Sequence, residues 1–114
     1  MRDRLLLEHI LEAIENIEEY VAGGRADFFG DKRTQDAVLR NLHTMAESAA
    51  RVSLETKTRY PDVHWKDIVA FRNVVVHDYL ALDLSIIWDV VDRDVPPLKS
   101  QTERILECLT DGER

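Results

Sequence analysis

From Asp3 to Val21, apolar residues recur at Leu6, Leu7, Ile10, Leu11, Ile14, Ile17 and Val21, with Glu8, Glu12, Glu15, Glu18 and Glu19 between them. Steps of three and four residues are those of an amphipathic helix, so this stretch predicts one. Asp3 is placed to cap its start and Gly23-Gly24 to stop it. Residues 24–31 read as a loop that Phe28 and Phe29 anchor to the core. A second stripe, Val38, Leu42, Met45, Ala49 and Val52, predicts a helix from Asp31–Thr34 to about Lys57, with Ala37, Ala46 and Ala50 permitting close helix approach. Tyr60-Pro61-Asp62 interrupts it, because a residue before proline is pushed out of helical geometry.

Asp62 is then expected to cap a third helix containing Trp65, Ile68, Val69 and Phe71, which runs on into Arg72-Asn73-Val74-Val75-Val76-His77. Three consecutive valines favour a strand locally. A lone strand among helices has no pairing partner, so the helical reading stands. Asp83 is expected to cap a fourth helix with Leu84, Ile87, Trp88 and Val91 inward. Pro96 and Pro97 fit only a first helical turn, so a fifth helix follows with Leu98, Ile105, Leu106 and Leu109. The pattern predicts an all-α fold, an up-and-down bundle of four to five helices. At 114 residues, it is read as one domain over 1–114.

Four Gly and three Pro leave little material for the turns of an all-β fold. No apolar run approaches the ~20 residues that span a bilayer, and the charges in the first four residues argue against a signal peptide. The single cysteine, Cys108, has no intrachain partner and is expected to fill a small core position. No Cys/His set has zinc spacing, so no metal and no cofactor are expected, and a reducing cytoplasm is the expected location.

The net charge of −7 is unevenly spread. Residues 1–31 and 73–114 each carry −5, whereas 32–72 carry +3 through Lys32, Arg33, Arg40, Arg51, Lys57, Arg59, Lys66 and Arg72. Solvated helix faces explain such a segment, and so does a polyanionic partner.

The candidate chemistry lies in Arg72-Asn73-Val74-Val75-Val76-His77-Asp78-Tyr79. Arginine offers a planar fork for a phosphate, and histidine titrates where protons are moved near neutrality. Together they suffice for metal-free RNA cleavage, in which the ribose 2′-hydroxyl is the nucleophile and the protein moves protons and stabilises charge. On one straight helix, Arg72 and His77 lie ~140° apart around the axis, while Asn73 and His77 share a face, as do Arg72 and Tyr79. Either the helix ends or bends before His77, or two subunits pair so that one site draws on both. The second option is preferred and makes a homodimer a consequence. A purely structural reading stays open beside it: Asn73 or His77 satisfying a buried backbone group, Arg72 pairing with a carboxylate, Tyr79 closing the core. His9 and His43 read as structural or solvated, and His64 as a cap or packing residue. Trp65 and Trp88 read as core, although either ring is able to stack on a base.

Arg72-x4-His77-x-Tyr79 resembles the R-x4-6-H-x-Y motif of the HepT-like ribonuclease toxins of the HEPN superfamily. Several other stretches follow the family's order and spacing: residues 35–42, Glu47, Arg59-Tyr60-Pro61-Asp62-Val63-His64-Trp65, Phe71-Arg72-Asn73, Asp83, Trp88 and Val95-Pro96-Pro97-Leu98. The resemblance implies a helical homodimer that cleaves RNA without metal at its subunit interface. Arg72 and His77 would be the catalytic pair, with Asn73 and Asp78 in support and Arg40, Asn41 and Glu47 behind them. Tyr79 would be the residue to which a partner antitoxin, a minimal nucleotidyltransferase, transfers AMP. An added phosphate beside the cleft would repel RNA. Ala46 and Ala81 stand where the family pattern leads one to expect glycine. Two other functions stay open: a non-catalytic substrate-binding subunit of a two-component nucleotidyltransferase, and an inert helical dimer.

Overall fold

The computed structural model describes residues 2–77 and 83–112. Helix α1 (Arg2–Tyr20) and helix α3 (Lys32–Arg51) form the central pair. They run antiparallel, since Asp3 meets Ser53 and Asn16 meets Asn41. Helix α5 (Trp65–His77) packs on α3, and helix α7 (Val95–Gly112) packs on α1. The core is the set of facing stripes, among them Ile10, Ile14 and Ile17 of α1 with Val38, Leu42 and Met45 of α3, all essentially inaccessible to solvent. Their burial removes apolar surface from water at roughly 25 cal/mol per Å², the main force holding the bundle. The described residues are helical apart from short connections, as the periodicity predicts, and Val74–Val76 fall inside α5.

Several local expectations are corrected. Residues 24–31 do not form a plain loop. They contain a short helix α2 (Arg25–Gly30), with Phe28 fully buried and stacked edge-on against Phe29. Gly24 makes the turn into it at φ +92°, a conformation that costs glycine little and other residues more. The second helix does not reach Lys57. It stops at Arg51, and a separate helix α4 (Leu54–Arg59) begins after Ser53, whose hydroxyl accepts the Thr56 N–H.

Asp3 does not cap α1. It sits in that helix's first turn and its carboxylate accepts from the Ser53 N–H and from the Ser53 and Thr56 hydroxyls across the bundle. The polar break in the second helix and the acidic start of the first thus satisfy each other. Nor does Asp62 cap α5, which starts just after His64, with the His64 carbonyl accepting from the Asp67 and Ile68 N–H groups. Asp62 faces α7 instead, where Gln101 donates to its carbonyl at 3.2 Å.

Asp83 does cap helix α6 (Leu84–Asp89), accepting the Ser85 N–H at 2.8 Å. The fourth and fifth predicted helices, however, join. Between α6 and α7 the chain widens into one π-type turn over Val90–Asp94, in which the Val95 N–H reaches the Val90 carbonyl. In a regular helix, the rings of Pro96 and Pro97 would press on carbonyls four residues back. An extra residue in the turn before them lets the helix continue. Cys108 is exposed rather than buried.

Candidate functional site

On α3, Arg40, His43 and Glu47 are spaced to share one face, and from it Glu47 reaches α5. There Glu47 Oε1 lies 3.6 Å from Arg72 Nε and 3.8 Å from His43 Nε2. Both are ion-pair separations longer than a hydrogen bond, and the His43 contact is ionic only when the imidazole is protonated. Arg72 and Glu47 keep 45% and 42% of their side-chain surface in solvent. Among the described residues, the terminal nitrogens of Arg72 meet no partner, so the fork is open to an anion. The structural alternative for Arg72 is therefore met in part, because it does pair with a carboxylate, but loosely and at the surface.

Of the residues singled out from the sequence, Arg72 and Glu47 are brought together, and Arg40 lies one face-repeat away on α3. Asn41 is not with them. Its amide donates to the Ala37 carbonyl at 2.8 Å and accepts from Asn16 at 3.2 Å, which ties α1 to α3 on a different side of the helix. Asn73 and His77 lie on the last turns of α5. That helix is continuous through His77, so it does not end before it. Arg72 and His77 therefore remain ~140° apart around one axis. Asp78, Tyr79 and Ala81 lie outside the described residues. Ala46 is fully buried in the middle of α3, in ordinary helical geometry that needs no glycine.

The sequence reads His43 as structural or solvated, and the structure sets it beside Glu47. The available signal was the i, i+4 spacing of His43 and Glu47 together with Arg40 three residues earlier. Trp65 and Trp88 are core residues. Trp65 is 8% exposed with its indole N–H donated to the Tyr60 carbonyl, and Trp88 packs 5.5 Å from the ring of Phe28. His9 is exposed on α1, and His64 stands at the start of α5, 3.8 Å from Asp67. Among the described residues, no three His, Cys, Asp or Glu side chains gather as a metal-ion site. No helix among them is long and apolar enough to cross a membrane.

The burial of Tyr60 against the last helix raises its phenol above the ordinary value, and a hydrogen bond with Cys108 adds to this. The pair is a packing contact between Tyr60 and α7, and no hydrogen bond or ion pair joins it to Arg72 or Glu47 among the described residues.

Comparison with known proteins bears on the site through its spacing. The family described as "Ribonuclease HepT-like" matches residues 10–105, which include the Arg72-x4-His77-x-Tyr79 run. The chain is 36% identical over 107 residues to a "Gamma-glutamylcyclotransferase and putative RNase" of Methanocaldococcus jannaschii, covering 93% of this chain. It spans only 48%, about half, of that protein's length. It is 35% identical over 100 residues to the "Probable ribonuclease HepT" of Thermococcus cleftensis, covering 87% of this chain and 91% of that one. No solved structure matches it. On the family match over residues 10–105 and these relatives, the chain belongs to the ribonuclease HepT-like family.

Proposed function

We propose that this protein is a metal-independent endoribonuclease that acts as the toxin of a toxin–antitoxin pair, cutting RNA at a site shared by two copies of the chain. Arg72 holds the scissile phosphate and stabilises the charge that builds on its oxygens. His77 moves protons. The 2′-hydroxyl loses its proton and its oxygen bonds to phosphorus, while the bond from phosphorus to the 5′-oxygen breaks and that oxygen takes up a proton. Asn73 and Asp78 support the pair, and Glu47 pairs with Arg72 from α3. A minimal nucleotidyltransferase antitoxin silences the enzyme by transferring AMP to Tyr79, placing a bulky anion beside the phosphate site.

The observation that carries this reading is the continuity of α5 through His77. A half-exposed arginine with an open fork and a histidine five residues on, ~140° around the same regular helix, do not readily address one phosphate. A second copy supplies the missing half, with Arg72 of one protomer opposite His77 of the other. The family match and the names of the relatives support RNA as substrate.

The test is cleavage of total cellular RNA in EDTA by the purified protein, beside Arg72→Ala, His77→Ala and an equal mixture of the two variants after subunit exchange. The native protein cuts, and each variant alone does not. Random exchange makes half the dimers mixed, each with one intact shared site of two, so the mixture recovers about a quarter of native activity. A mixture as dead as its parts places both residues in one chain and removes the shared site. Intact RNA with folded, unmodified native protein removes the nuclease. The substrate-binding subunit of a two-component nucleotidyltransferase then becomes the better reading.

A further inference from the structure

Two shallow grooves run along the junction of α4 and α5 and share Lys57, Trp65 and Lys66. The inner one, about 430 Å³, continues past Val69 and Ala70 to end on Arg72. Its wall is therefore a line of three cations that leads into the arginine of the candidate site. Trp65 is turned into the core with its N–H satisfied, so in the inner groove the lysines are the polar wall leading to Arg72, while the outer groove also carries Thr58, His64 and Asp67.

The two lysines are not committed to the fold. Among the described residues, Lys66 makes no ion pair or hydrogen bond, and Lys57 makes one long contact of 3.5 Å to the Ala50 carbonyl and no pair with a carboxylate. Several other cations are tied to carboxylates. Lys99 sits 2.9 Å from Glu18, Arg4 3.3 Å from Glu8, and Arg59 3.3 Å from Glu55. The groove also lies within the stretch 32–72, the one third of the chain with a positive balance in a protein of net charge −7. An acidic protein that handles a polyanion needs a local positive path, and its acidic outer faces disfavour binding elsewhere.

The geometry points to the α4–α5 groove as an RNA-binding track in which Lys57 and Lys66 hold successive phosphates of a single strand and feed it to Arg72. The inference rests on the ribonuclease reading for its substrate and adds a surface to it. Contacts of this kind set affinity and register without reading sequence. The groove then favours unpaired RNA of several nucleotides over substrates too short to reach both the lysines and Arg72.

The experiment measures binding of a fluorescent single-stranded RNA to His77→Ala protein, which leaves the probe uncut, over a range of salt. A Lys57→Gln/Lys66→Gln double substitution is compared with Lys32→Gln/Lys99→Gln, which changes the charge equally away from the groove. Circular dichroism checks that both fold. Removing two phosphate contacts lowers the slope of log affinity against log salt by about 1.4 and weakens binding on the order of 10- to 100-fold near 50 mM salt, with little difference near 1 M. The remote pair changes the slope little. Equal slopes and affinities for the two double variants overturn the groove. The outcome is separable from the nuclease reading. Unchanged binding with His77-dependent cleavage intact rejects only the track. A slope change in a protein that never cuts keeps the track and rejects the nuclease.

Discussion

Two polar clusters join helices in this bundle, and they are built in opposite ways. At one end, the Asp3 carboxylate accepts the Ser53 N–H and the Ser53 and Thr56 hydroxyls, the Thr56 bond at 2.6 Å. Thr56 is buried, and every donor has a short, directed partner. At the α3–α5 junction, Glu47 faces Arg72 and His43 at 3.6 and 3.8 Å, with solvent around all three. The first cluster is saturated and ties the break after α3 to the start of α1. The second keeps spare capacity: an open guanidinium fork, an imidazole and a carboxylate held near one another without being consumed by one another. A polar group that serves the fold has its valences filled, whereas one that serves a ligand leaves them to be filled.

The largest expected effect comes from removing the open group. Arg72→Ala lowers RNA cleavage by about 100-fold or more, because a charge-stabilising donor is lost from the transition state. It shifts the melting temperature little, since an exposed pair contributes no more than about 1 kcal/mol. Single-turnover cleavage and calorimetry on the same preparation check this. A melting temperature that falls as far as activity would make Arg72 a structural residue and erase the contrast.

Asp3→Ala is expected to do the reverse. It leaves three donors without their acceptor, at a cost of about 1–2 kcal/mol given the partial exposure, or a drop of roughly 4–8 °C in Tm. Cleavage at low temperature stays near native. The pH dependence follows from the same bonds. Burial by itself would raise the Asp3 pKa, but the hydrogen bonds from Ser53 and Thr56, with Arg2 nearby, outweigh it and bring the carboxyl below its ordinary 3.8. A group whose folded pKa is depressed stabilises above the unfolded pKa and loses that contribution as pH falls through the folded one. The gap in stability between native protein and Asp3→Asn is therefore constant near neutrality and closes below about pH 4. Denaturant titrations from pH 7 to pH 3 read it directly, and a gap that widens in acid contradicts the assignment.

Glu47→Gln gives the smallest effect and the sharpest one for the comparison. It keeps the shape but removes the charge between Arg72 and His43. Stability changes by less than about 0.5 kcal/mol, while cleavage falls a few-fold as Arg72 loses its anchor. A loss of stability equal to that of Asp3→Ala would mean that both clusters are fold pins.

Much of the fold was legible along the chain. The 3.6-residue period gave α1, α3 and the burial of Ile10, Ile14, Val38, Leu42 and Met45, and it outweighed the β-preference of Val74–Val76. The Asp83 cap was readable because an N-cap is a local bond between a side chain and a backbone two residues on. Where expectation failed, the deciding partner was remote. Asp3 looks like a cap until Ser53 and Thr56, about fifty residues away, take its oxygens. The π-type turn before Pro96 depends on carrying α6 and α7 as one rod, which no local rule requires.

The candidate site divides in the same way. Spacing along one segment determined Arg72 and His77 as a pair of residue types fit for phosphate chemistry, and the resemblance of the whole pattern pointed to the family. Only the packing of α3 on α5 decided that Glu47 and His43 stand beside Arg72 while Asn41, one residue after Arg40, turns to Asn16. Adjacent helical positions differ by ~100° around the axis, so neighbours in sequence face different neighbours in space. Sequence therefore set which chemistry the chain carries and the order of its helices. Tertiary structure set which polar groups are spent on the fold and which remain open, because that depends on contacts between helices that no period along one chain encodes.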